Sequence, residues 1–200
     1  MTEAKSSDML LTRAGMGIEP GLPLEASTGG IEELRADIQR LMDMEAIKQL
    51  KYAYFRCLDT ANFEEQAELF HDDVTVDFIG GNYAWKLQGK QAYIEAQKKA
   101  FNRKSVGQHN GHHPEIQMHS ATEATAIWYL SDSMWVTNYN FFTTGSALYW
   151  DRYLKVDGRW KIRETSYRRV YELSRLLKEN PAFSVHYLAQ HGSEMPPEAG

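Results

Sequence analysis

A long helical pattern closes on an acid in Tyr54-Phe55-Arg56-Cys57-Leu58-Asp59, and a strand pattern opens on a base in His109-Asn110-Gly111-His112-His113-Pro114-Glu115-Ile116. A carboxylate and an imidazole from separate elements, set among aromatic residues, are the minimal equipment for moving a proton to or from carbon. Tyr54 falls on an apolar stripe with Ile47 and Leu50. That position suits a packed tyrosine with a satisfied hydroxyl as well as it suits a proton donor. Five residues of helix place Tyr54 and Asp59 about 140° apart, so spacing alone does not make them neighbours. Asp59 stands at the negative end of its helix dipole, where ending the helix through a side-chain hydrogen bond competes with a chemical role.

Other candidates carry weaker signals. His109, His112 and His113 invite a metal reading, but residues three apart on a strand point to opposite faces. No cysteine or carboxylate at zinc-ligand spacing completes the set, so no metal is expected. Alternation puts Asp132 on the face of Ala126, Trp128, Leu130 and Met134, where a carboxylate is either paired or serves a cavity. In the last strand pattern Arg168 aligns with Trp160 and Ile162, and Arg169 faces the other way unless a bulge intervenes. Both arginines read first as solvated surface. Cys57, the one cysteine, reads as a small buried hydrophobe and excludes an intramolecular disulfide, as in a reducing compartment. The chain carries no phosphate-binding glycine loop, nucleophile elbow or dinucleotide fingerprint.

The elements that position these residues run in a readable order. Residues 1–30 are rich in Gly, Pro, Ser and Thr without periodicity and read as a mobile tail; 31–175 form the domain and 176–200 an extension. Leu34, Ile38, Leu41, Met42, Ile47, Leu50, Tyr54 and Leu58 mark a helical run that Asp43 divides in two. A short helix over 63–70 follows, then a turn at His71-Asp72-Asp73, a strand Val74–Phe78 and a helix over 90–103. Strands are predicted over 106–118, 122–139, 144–156 and 159–170, with Asp157-Gly158 as a hairpin turn and a short helix beyond Tyr171. Helices first and long antiparallel strands last predict an α+β fold, a curved sheet wrapped by the early helices around a cavity.

Composition narrows the function. A net charge of -5 argues against nucleic acid as a partner. No stretch reaches the apolar length of a membrane span or of a signal-peptide core, so a cytoplasmic protein is expected.

Met44 to Glu172 resembles the SnoaL-like proteins of the nuclear transport factor 2 superfamily, and within them the bile-acid 7α-dehydratases. The matching segments are Glu45–Lys51, Tyr54–Asp59, His109–Ile116, Trp128-Tyr129-Leu130 with Asp132, and Glu164-Thr165 with Tyr167, Arg169, Tyr171 and Glu172. The resemblance implies a cone-shaped α+β barrel, a homotrimer, a cofactor-free cavity and a steroid-like substrate. It makes Asp59 and His109 the base pair, Tyr54 the donor or acid, and Asp132 and Arg169 polar cavity residues. Phe78 and Trp128 are expected beside the substrate; at Phe78 the family carries a tyrosine, so a hydroxyl is missing there. The reaction implied is loss of water from a 7-hydroxy-3-oxo-Δ4 steroid. A polyketide cyclase or another dehydratase on the same scaffold, and a non-catalytic binding module, are the rival readings, because function lives in the site and not in the fold.

Overall fold

The computed structural model describes residue 26, residues 29–81 and residues 83–194. The tail assigned to 1–30 and the end of the C-terminal extension therefore lie largely outside the described residues. Helix α1, Ile31–Thr60, is continuous through Asp43. Asp43 does not cap a new helix, because its carboxylate is turned into the body of the protein. There Oδ1 accepts from Lys155 Nζ at 2.6 Å and Trp160 Nε1 at 3.0 Å. The helix ends at Ala61, in the left-handed region at φ 51°, with the Ala61 and Asn62 N–H groups closing on Leu58 and Cys57 carbonyls. Asp59 thus has no part in stopping the helix, and its carboxylate is left for other work.

Helix α2 spans only Phe63–Ala67, because the buried Phe70 opens strand β1, Phe70–Ile79, instead of closing the helix. The expected turn at His71–Asp73 is an irregular stretch inside β1, where pairing to the last strand slips between Phe70 and Thr75. Strand β2, Ala84–Gln88, was not anticipated; it is a short edge strand. Helix α3 covers Lys90–Ala100 and buries Tyr93, Ile94 and Gln97. Then come β3 (Ser105–Met118), β4 (Glu123–Val136), β5 (Phe141–Val156), β6 (Arg159–Leu176) and a short α4 (Tyr187–His191). A 3₁₀ turn at Thr137–Tyr139 links β4 to β5. Asp157 and Gly158, both at positive φ, make the two-residue turn predicted between β5 and β6. Residues after Tyr171 continue β6 to Leu176 instead of turning helical.

The six strands form one sheet in the order β2-β1-β6-β5-β4-β3, parallel only between β1 and β6. Three extra residues bend it. In β3 the register slips between His112 and Glu115, with His113 at φ 50°. In β6 it slips at Arg163 and again at Val170. Such bulges add local twist and curve a strand. The concave face carries the core with α1 and α3 against it, and Tyr54, Tyr93, Trp128, Tyr149, Tyr153 and Ile162 are among its buried side chains. This is the α+β architecture predicted. Among the described residues no helix is long and apolar enough to cross a membrane.

Candidate active site

Helix α1 reaches the sheet at Gly111. A Cβ there would lie 1.9 Å from the Phe55 ring, so only glycine lets the helix settle onto β3 at this point. That approach carries Asp59, one turn further on, to His109. The Asp59 carboxylate accepts the His109 backbone N–H on Oδ2 at 3.0 Å and meets the ring Nδ1 on Oδ1 at 2.6 Å. A carboxylate partner requires the proton on Nδ1, which leaves Nε2 with its lone pair. His109 is nearly buried, lies edge-on to Phe101 and lines a cavity of about 260 Å³ that opens to solvent on one side. Asp59 stands behind it and does not line the cavity.

Across the sheet, His109, Asp132, Gly145 and Glu172 are successive cross-strand partners on β3, β4, β5 and β6. Asp132 is both of the things its position allowed: it lines the cavity and it is paired. Arg169 gives Nη1 and Nη2 to its two oxygens at 2.6 and 2.9 Å. Burial pulls the Arg169 pKa down, but the hydrogen bonds and charge of Asp132 outweigh this and hold it above its ordinary value. Arg169 reaches the cavity because the extra residue at Arg163 reverses the phase of β6. Arg168 is consequently turned to the other face, where it is buried against Asp77, with Nη2 2.6 Å from Oδ2. Neither arginine is the solvated side chain first expected.

Tyr54 lines the same cavity, buried, with its hydroxyl 2.7 Å from that of Tyr93. Burial raises the phenol pKa of Tyr54, Tyr93 and Tyr149 well above the ordinary value, so these groups stay protonated and can donate. Phe78 is in the lining and stacks on Tyr167 at 4.4 Å between centroids. Trp128 is not in the lining. It is fully buried, and its Nε1 donates to Tyr153 Oη at 3.0 Å. His112 and His113 do not line the cavity; His112 is half-buried and stacked on Tyr129, His113 is exposed, and their Nδ1 atoms lie 2.7 Å apart. Among the described residues no group of three His, Cys, Asp or Glu is placed to share a metal ion.

Two groups near the site escaped the sequence reading. Lys51 and Asp151 form a fully buried ion pair, Nζ to Oδ2 at 2.7 Å, which also accepts the Tyr153 hydroxyl. The ammonium lies 3.8 Å from the Tyr149 ring centroid and 4.5 Å from that of Tyr54. Alternation in Tyr149-Trp150-Asp151-Arg152-Tyr153 was the available signal, since it sends Asp151 inward with two tyrosines. The second group is Tyr83, in the turn between β1 and β2, whose Oη is 3.3 Å from Arg169 Nη2. Its phenol touches the hydroxyl of Tyr167.

The arrangement offers a base with a fixed tautomer, protonated phenols and aromatic walls, which suits proton removal next to a carbonyl. Residues 39–166 match the family described as SnoaL-like domain. A putative scytalone dehydratase from Novosphingobium aromaticivorans DSM 12444 is 25% identical, with a TM-score of 0.61 over 74% of this chain and 99% of that one. A type 2 hexachlorocyclohexane dehydrochlorinase shares the fold at 19% identity and TM-score 0.64, over 74% and 99% of the two chains. ActVI-ORFA from Streptomyces coelicolor does so at 16% identity and TM-score 0.53, over 64% and 96%.

Proposed function

Since the chain belongs to the SnoaL-like domain family, we propose that its cavity catalyses elimination of water from a hydroxylated cyclic carbonyl compound, with a 7-hydroxy-3-oxo-Δ4 steroid as the substrate and the 4,6-diene as the product. The observation that carries the reading is His109, held on Asp59 through Nδ1 and lining an aromatic cavity; in the neutral ring this arrangement puts the lone pair on Nε2. The solved dehydratase-named relative supports the reaction class.

The chemistry follows from the substrate. The hydrogen on carbon 6 is acidified through the enone, so a neutral imidazole suffices to remove it. His109 takes that proton, and Asp59 stabilises the imidazolium. The carbon–hydrogen electron pair flows into a dienolate, whose oxygen receives a hydrogen bond from the Tyr54 phenol. The dienolate then expels the 7-hydroxyl as water, with the imidazolium returning a proton and the Asp132–Arg169 pair orienting the departing oxygen. The electron sink is the substrate's own conjugated system. A trimer, implied by the family resemblance, belongs to the same proposal and is readable by sedimentation.

A cyclase, isomerase or dehydratase acting on another small polycyclic or polyketide substrate is the second reading. It is favoured by the cavity volume, about 260 Å³. At roughly 20 Å³ per non-hydrogen atom, interior packing density admits about a dozen such atoms, or two fused rings. A steroid would insert rings A and B and leave the rest at the mouth. Ultraviolet absorbance separates the outcomes. Conversion gives a dienone absorbing at longer wavelength than the enone, whereas unchanged absorbance across a panel of 7-hydroxy-3-oxo-Δ4 steroids, with the protein in excess, would remove the steroid assignment.

A further inference from the structure

Asp132 and Arg169, which line the cavity and were assigned to the departing oxygen, belong to a larger cluster that includes Glu172. Arg169 engages both oxygens of Asp132, and its Nε lies 2.9 Å from Glu172 Oε2. The three side chains are each a tenth exposed or less. Two carboxylates therefore share one cation, a formal excess of one negative charge in a poorly solvated place. An entering anion would lose its hydration and meet like charge, with Nη1 and Nη2 already given to Asp132 and the Nε, which makes no hydrogen bond, set beside Glu172.

Tyr83 accepts from Arg169 Nη2 and touches the Tyr167 hydroxyl; with Tyr167 as the donor in that contact, the Tyr83 proton is the one left to offer. Its phenol lines the cavity beside Arg169. Its backbone carbonyl accepts the Gly80 N–H at 2.9 Å, and the Gly81 N–H donates to Glu172 Oε1 at 3.1 Å. Glu172 thus ties the turn that carries Tyr83 to the arginine. Phe78, on the same wall, has no oxygen to contribute. Burial raises the Tyr83 pKa and Arg169 only partly offsets this, so the O–H remains a donor.

We propose that the part of the cavity beside this cluster is a subsite for a neutral oxygen, a ring hydroxyl or carbonyl, with Tyr83 as its donor and Glu172 as a positioning residue that also bars anions. A ring hydroxyl can accept from Tyr83 and donate to Asp132; a carboxylate can do only the first. The proposal deepens the reading above by assigning the charge class of the substrate. It rests on the cavity being the substrate site and not on which bond breaks.

Calorimetric binding of three two-ring probes tests it: 2-naphthol, 2-naphthoate and 2-methylnaphthalene. The wild-type protein should bind 2-naphthol at least about tenfold more tightly than 2-naphthoate. Glu172→Gln removes one negative charge and keeps an acceptor for Gly81, so it should narrow that gap by about tenfold. Tyr83→Phe keeps the ring and should weaken 2-naphthol about fivefold relative to 2-methylnaphthalene, the value of one buried hydrogen bond. Each ratio compares ligands on one protein, so a general loss of structure does not move it. Equal wild-type affinity for naphthol and naphthoate overturns the proposal. So does a naphthol-to-methylnaphthalene ratio unchanged by Tyr83→Phe, a naphthol-to-naphthoate gap unchanged by Glu172→Gln, or failure of all three probes to bind. The expected pattern without any dienone formation from a steroid would count against the reaction and leave the subsite standing.

Discussion

Replacing Lys51 by methionine is expected to destabilise the protein more than any other single truncation beside the site. The ammonium is fully buried, 2.7 Å from Asp151 Oδ2, with the faces of Tyr149 and Tyr54 on its remaining sides. Asp151 Oδ1 has no hydrogen-bond partner, so without Lys51 the carboxylate retains only the Tyr153 hydroxyl. Breaking a buried pair by removing one partner costs about 3–5 kcal/mol, because a lone charge is left in low dielectric. For a chain of this size each kcal/mol lowers the melting temperature by about 2–4 °C, so the loss should be on the order of 10 °C. Lys51→Met combined with Asp151→Asn removes both charges while keeping an acceptor for Tyr153, and most of the loss should return. Urea unfolding of the three proteins, with comparable m-values, measures this directly. A single variant within about 1 kcal/mol of wild type, or a double variant no more stable than the single, would refute the argument.

His109→Gln should lower turnover by at least about a hundredfold, the lower range for losing a general base, and Asp59→Asn should also impair it severely while both proteins stay folded. Near-normal turnover in His109→Gln would take this residue out of the mechanism. Gly111→Ala should disturb both stability and turnover, since its methyl meets Phe55, and Phe55→Leu in the same chain should recover part of each; a neutral Gly111→Ala would mean that α1 has room to move. At Asp43, burial raises the pKa, but hydrogen bonds from Lys155 and Trp160 outweigh it and hold the carboxyl below 3.8. A depressed folded-state pKa contributes stability above the unfolded value and loses it as pH falls through the folded one. The melting-temperature gap to Asp43→Asn should therefore be steady from about pH 5 to 7 and shrink below about pH 4, and a gap that widens in acid contradicts the sign. A steroid with a saturated ring and a 3-hydroxyl should bind without losing its 7-hydroxyl; equal dehydration, read by mass spectrometry, would exclude a dienolate path.

What the sequence disclosed depended on whether the signal was local. Asp157-Gly158 announced its turn because φ > 0 at both positions is a property of those two residues. The strands around it followed from alternation. Asp43 misled because an acid in mid-helix reads as a break, and only the distant Lys155 and Trp160 explain why it is not one. Arg169 illustrates the same limit. Its orientation depends on an extra residue at Arg163, and nothing in the local composition marks a bulge. Resemblance named Asp59, His109 and Tyr54 together, and the structure brings Tyr54 and His109 to one cavity with Asp59 behind the histidine. Trp128 was placed near the substrate by the same resemblance, yet it lies in the packed interior. Lys51 and Asp151, a hundred residues apart, left no pairwise trace in a single sequence.

The position of β6 has a consequence for how the protein is made. This last strand occupies the interior of the sheet, bonded to β1 on one side and β5 on the other, and it brings Arg169 and Glu172 with it. Helices α1–α3 and strands β1–β5 emerge from the ribosome before it, with β1 and β5 each lacking a neighbour. Two unpaired edges on a partly made chain are templates for wrong pairing. Delayed arrival of β6 is thus the moment of greatest exposure to aggregation. It also means that the nascent chain holds its base and its phenols long before it holds a closed cavity.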